Sequence, residues 1–147
     1  AFPTSHDVPC VGFRIEEAGG GAMAYASDLG TLTPAVHENL SGCDLVALEA
    51  NYDLQRLRYG PYPGYLKVRI ESRRGHLDNR ECAAKVAELA AAGCQKFSLL
   101  HLSQENNAPE LALEAVADAL RATGFTPAPA LTVQAQERNA VSRAMEF

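Results

Sequence analysis

An α/β layered fold is predicted for this 147-residue chain by three features. Strand-like and helix-like periodicities alternate along it, Asp or Asn stands three residues before Glu where two helices would begin, and glycines stand where helices would end. Apolar residues make up 47% of the chain, enough for one core, and the length suits one domain better than two. No heptad or other short repeat is present, which excludes coiled-coil and collagen-like architectures.

The elements follow in order. Cys10 to Glu16 places Val11, Phe13 and Ile15 on one face, the alternation of a half-buried strand. Ala18-Gly19-Gly20-Gly21 is a turn, and Ala22 to Ser27 returns as the second strand of a hairpin. Thr33-Pro34 opens a short helix through Leu40, closed by Gly42. Asp44 to Ala50 is a buried strand. The run Tyr59-Gly60-Pro61-Tyr62-Pro63-Gly64-Tyr65 is predicted to be irregular, a shaped loop rich in aromatic surface. Asp78 and Glu81 form a capping box for a helix that runs to Ala92, with Gly93 as its left-handed stop. Lys96 to Leu102 is a strand. Asn107 and Glu110 form a second capping box, after which Leu113, Val116 and Leu120 make an apolar stripe until Gly124. Leu131 to Gln134 is a last strand, and the tail to Phe147 shows no clear period.

Charge is unevenly spread. The chain carries a net −5, which argues against a basic nucleic-acid binder as a whole. Between Arg56 and Arg80, however, seven cations face two anions, so this stretch is +5 and the remainder −10. Such a segment predicts an anion-binding surface on an acidic body. Cys10, Cys43, Cys82 and Cys94 are widely spaced and form no C-x-x-C pair, as expected of reduced thiols in a cytoplasmic protein. No apolar run approaches the roughly 20 residues of a membrane span, so no membrane partner is expected.

Histidines are scarce, so their addresses matter. His6 lies in Ser5-His6-Asp7 just before the first strand, and His101 at the exit of FSLLHLS. Asp28 stands where the strand MAYAS gives way to Leu29-Gly30. His6, Asp28 and His101 thus flank strand ends, where functional groups of α/β sheets converge. Imidazole with carboxylate suits Zn²⁺ or Mn²⁺. His76 lies at the mouth of a helix, and His37 sits mid-helix in AVHENL with no polar constellation about it, as a surface or packing residue would.

The segments SHD…VGFRIE, YASDLG, LVALEANYD, YGPYPGYLKVRIESRRGHLDN and LLHLSQENN, spanning roughly residues 3 to 123, resemble the carboxy-terminal half of metallo-β-lactamase-fold hydrolases, in particular their WalJ/YycJ-like exonuclease branch. The resemblance implies half of a four-layer αββα sandwich and a phosphodiesterase that uses two divalent metal ions, Zn or Mn. It implies that His6, Asp28 and His101 are metal ligands, with Asp28 bridging the ions. It further implies that His76 works near the scissile phosphate as acid or transition-state stabiliser, and that Glu49 orients such groups. Arg56, Arg58, Arg73 and Arg74 would then face the backbone of a DNA or RNA substrate.

Two departures shape the expectations. The H-x-H-x-D-H motif that supplies most metal ligands in that family is absent, and Tyr52 stands where related sequences commonly have His. Residues 1–147 are therefore expected to be the carboxy-terminal part of a single domain. A missing amino-terminal half, or a second chain, would cover an apolar sheet face that includes Phe13, Val46 and Phe97. Taken alone, the chain is expected to bind metal poorly and to be inactive. The competing readings are a metallo-hydrolase of small esters, thioesters or lactones, and a non-catalytic interaction module of the same fold.

Overall fold

The computed structural model of the chain describes residues 1–124 and 130–147. Six strands form one mixed sheet in sequence order: β1 (Phe2–Thr4), β2 (Cys10–Glu16), β3 (Ala22–Ala26), β4 (Leu45–Glu49), β5 (Lys96–Leu100) and β6 (Thr132–Ala135). β1, β2 and β3 pair antiparallel, and β3 through β6 run parallel. Among the described residues five helices accompany them: α1 (Pro34–Leu40), α2 (Leu54–Tyr59), α3 (Gly64–Glu71), α4 (Asn79–Ala91) and α5 (Pro109–Ala122). The molecule is thus α/β. None of these helices is long and apolar enough to cross a membrane.

Local chemistry accounts for most element boundaries. Thr33 caps α1 by accepting from the Val36 N–H, and Asp78 caps α4 by accepting from the Glu81 N–H. Gly93 and Gly124 take positive φ just past α4 and α5, as helix stops require. The second predicted capping box does not form. Ala108 occupies the N-cap of α5, while the Asn107 amide turns inward, donating to the Ala50 carbonyl and exchanging hydrogen bonds with Asn79. The run expected to be irregular ends earlier than predicted, because Pro63 caps α3 and Gly64 and Tyr65 already belong to that helix.

The two faces of the sheet differ. α1, α4 and α5 bury Val36, Val86 and Val116 against Ala24, Val46, Leu48, Phe97 and Leu99 in one cluster. Val46 and Phe97, expected on the uncovered face, are instead fully buried here, because their paired register turns both toward the helices. Their neighbours Leu45, Ala47 and Ser98 face the other way. On that side Met145 packs on Leu45, Ala47 and Leu100, and Lys96 reaches the Glu146 carbonyl, so the tail crosses the β4–β5 region. Phe13, Ile15 and Tyr25 stay 47%, 51% and 40% exposed beside it.

Candidate metal centre

Three adjacent parallel strands end at one edge of the sheet, and each delivers one polar residue there. β3 is followed by Asp28, β4 ends on Glu49, and β5 is followed by His101. Asp28 and His101 hold φ of 54° and 58°, the only non-glycine positive values among the described residues. Asp and His tolerate this region better than most side chains, and such strain clusters at functional sites. His6 enters from the link between β1 and β2, and His76 from the loop between α3 and α4. That loop lies tight on the one after β3. A Cβ on Gly30 would meet the Gly75 nitrogen at 2.4 Å, and one on Gly75 would meet the Ile70 oxygen at 2.2 Å.

Glu49 organises the centre. It is fully buried; its Oε1 accepts from His76 Nδ1 at 2.7 Å and His101 Nδ1 at 2.9 Å, and its Oε2 accepts from the Leu29 N–H at 2.9 Å. Burial alone would raise its pKa, but the hydrogen bonds from His101 and His76 outweigh that and hold the carboxyl below its ordinary range. The His101 pKa is raised in turn, chiefly by the bond to Glu49. His6 Nδ1 donates to the Gly75 carbonyl at 2.8 Å. All three imidazoles thus have Nδ1 engaged by an acceptor, so that each ring in its neutral form keeps its lone pair on Nε2, although for His76 and His101 the nitrogen nearer Asp28 is Nδ1.

Asp28 Oδ1 lies 3.8 Å from His6 Nε2, 3.8 Å from His76 Nδ1 and 3.6 Å from His101 Nδ1. Ligand-capable atoms of Asp28, Glu49, His76 and His101 fall within 4.8 Å of one another. The His6 and His76 ring centres are 5.0 Å apart, and those of His76 and His101 5.1 Å. A neutral-imidazole and carboxylate set of this spacing fits a borderline cation such as Zn²⁺ or Mn²⁺.

Five of the residues singled out in the sequence, His6, Asp28, Glu49, His76 and His101, therefore meet. The four arginines do not join them in the cleft. Arg56 donates to the Asn107 carbonyl, and Arg58 pairs with Glu71. Arg74 donates to the His6 and Asp7 carbonyls, and Arg73 stays exposed. The cations that line the cleft are Arg69 and Arg138. Arg69 binds Asp7 and holds that carboxyl below its ordinary range, while Asp7 Oδ1 sits 3.3 Å from His6 Nε2. Asn51, also in the cleft, donates to the His101 carbonyl at 2.8 Å. These additions had faint sequence signals: Asp7 adjoins His6, and Asn51 follows the strand that ends in Glu49. Arg138 had none, since the tail lacks a period. Tyr52 lies outside the cleft, packed on Leu57 and Ile70.

Comparison with known proteins agrees with this geometry. Residues 1–102 match the beta-lactamase superfamily domain. The chain is 31% identical over 125 residues to exodeoxyribonuclease YycJ of Bacillus anthracis, covering 85% of this chain and 47% of that protein. It is 33% identical over 112 residues to exodeoxyribonuclease WalJ of Streptococcus pneumoniae, covering 76% and 42%. It thus spans about half the length of the curated relatives it matches. The metallo-beta-lactamase fold protein YhfI from Bacillus subtilis superposes with a TM-score of 0.62 at 18% identity, over 92% of this chain and 44% of that one. Sheet, strand-end residues and sequence together place the chain in the metallo-β-lactamase superfamily, in its WalJ/YycJ-like branch.

Proposed function

We propose that this chain carries the carboxy-terminal share of a metal-dependent phosphodiesterase, an exonuclease acting on DNA or RNA in the cytoplasm. The observation that carries the reading is the convergence of three imidazoles, each with Nδ1 tied to an acceptor, around Asp28 at the carboxyl edge of the sheet. His6, Asp28 and His101 would hold two divalent ions together with ligands from a complementing half. The ions would supply charge neutralisation at the phosphoryl oxygens and a water acidic enough to attack at neutral pH.

This chain's own residues do the rest. Glu49 fixes the His76 and His101 tautomers and orients both rings. His76, whose Nδ1 proton is held by Glu49, can take up a second proton on Nε2 and give it to the departing oxygen. Arg73 and Arg74, beside the loop that bears His6, contact substrate phosphates outside the cleft, and Arg56 and Arg58 extend that surface. The open part of the sheet, with Phe13, Ile15 and Tyr25 exposed, receives the complementing half, and the chain alone binds metal weakly and is inactive.

The test is Mn²⁺-dependent digestion of single-stranded and duplex DNA and RNA by the complete protein, beside the 147-residue chain. Release of nucleotides by the complete protein, and none by the chain, is the expected result. Ester or lactone cleavage without nucleotide release would overturn the phosphodiesterase reading.

A further inference from the structure

Resting on that reading, the cleft beside the metal centre carries a second feature the chemistry does not use. Its volume is about 340 Å³, near the lower end of small-ligand sites, and its two sides are unlike. His6, His76 and His101 are neighbours in its lining, and Tyr62, Leu66 and Ile70, which pack in one apolar cluster, form its apolar side. We propose that this apolar side is a nucleobase subsite, which receives the base of an unpaired terminal nucleotide while Arg138 holds its phosphate.

Three observations support the assignment. Tyr62 is only partly buried, and the part that is buried packs against the Tyr52, Leu57 and Ile70 cluster. A ring already immobilised loses little entropy when a flat base stacks on it. Of the two cations in the cleft, Arg69 is matched by Asp7, whereas Arg138 meets no carboxylate among the described residues and donates only to the Leu102 carbonyl. Arg138 lines the same cleft as His101. A free guanidinium beside the metal centre suits a phosphate oxygen. Finally, a cleft of about 340 Å³ has room for one nucleotide.

The test is equilibrium binding of three probes, dAMP, 2-deoxyribose 5-phosphate and inorganic phosphate, to the metal-free protein. dAMP is expected to bind roughly tenfold or more tighter than deoxyribose phosphate, the scale of one base–aromatic stack. Tyr62→Ala should abolish that ratio and Tyr62→Phe preserve it. Arg138→Ala should weaken all three probes by a similar factor and leave the ratio intact. Equal binding of dAMP and deoxyribose phosphate, an unchanged ratio in Tyr62→Ala, or no binding by any probe would overturn the base subsite. Unaltered phosphate binding in Arg138→Ala would overturn the anchor. Base discrimination without Mn²⁺-dependent digestion would remove the nuclease reading and keep the subsite, and digestion without discrimination would do the reverse.

Discussion

The four histidines of this chain form two kinds of polar cluster. At the sheet edge, His6, His76 and His101 each have Nδ1 bound to an oxygen acceptor, the Gly75 carbonyl or Glu49. Between α1 and α4, His37 Nδ1 lies 2.7 Å from the buried Lys85 ammonium, which also binds Glu88 Oε1 at 2.6 Å. An ammonium can only donate, so Nδ1 of His37 accepts and its proton sits on Nε2. The first arrangement leaves a lone pair on each ring, and the second leaves none. An imidazole beside charge is therefore not yet a metal ligand; the partner of its other nitrogen decides.

The largest effect that separates the clusters is on turnover. His101→Ala in the complete protein should lower Mn²⁺-dependent hydrolysis by at least about a hundredfold, because several kcal/mol of metal-supplied stabilisation is at stake. His37→Ala should leave the rate within about twofold, and a steady-state digestion assay compares the two. Unchanged turnover in His101→Ala would break the comparison. Glu49→Gln comes next. With its oxygen toward the rings the amide keeps both imidazole bonds but sets an NH₂ against the Leu29 N–H, turned the other way it loses both, and in either case the negative charge is gone. Metal affinity should fall about 10–100-fold while the fold persists, read by metal titration.

The sequence exposed the ends of strands far better than what fills the space between them. Asp28 and His101 were visible because apolar runs stop at them, and the capping residues of α1 and α4 because they bond only locally. Glu49 gave no pattern of its own, since a buried carboxylate inside LVALE earns its place from two loops 27 and 52 residues away. Asn107 satisfies the spacing rule for a cap, yet it bonds Asn79 and Ala50, a choice that only tertiary packing makes. Val46 and Phe97 were assigned to the wrong face for a related reason. β4 is buried on both sides, so alternation no longer marks which side faces the helices. Arg69 and Arg138 escaped because a charge-rich segment shows where cations are in the chain and not where they gather.

A smaller effect concerns pH and the metal-free protein. His101 has its pKa raised by Glu49, so its stabilising contribution is complete below the ordinary histidine value and is lost as pH rises through the raised one. Glu49 has its pKa lowered, so its contribution is complete above the ordinary glutamate value and is lost as pH falls through the depressed one. Both are present between about 4.5 and 6.5, the two ordinary values. The melting temperature of the metal-free protein should therefore fall on going from about pH 6 to pH 9, and less so in His101→Gln. Added metal should reverse the trend, because ligation needs the imidazole deprotonated.

The smallest effect belongs to Lys85, and it sharpens the comparison from the other side. Its ammonium is buried while Glu88 remains largely exposed, so the pair gains little Coulomb energy against the cost of removing the lysine from water. Lys85→Met keeps the side chain's length and packing, lets Glu88 return to water, and frees His37 Nδ1. Such replacements are often neutral or stabilising, so a change in unfolding free energy within about 1 kcal/mol is expected from denaturant melts. Metal binding at the sheet edge should not move, since no residue of the centre touches Lys85. A loss of metal affinity in Lys85→Met would mean that the helix-covered face sets the geometry of the centre, and that the two clusters are one system.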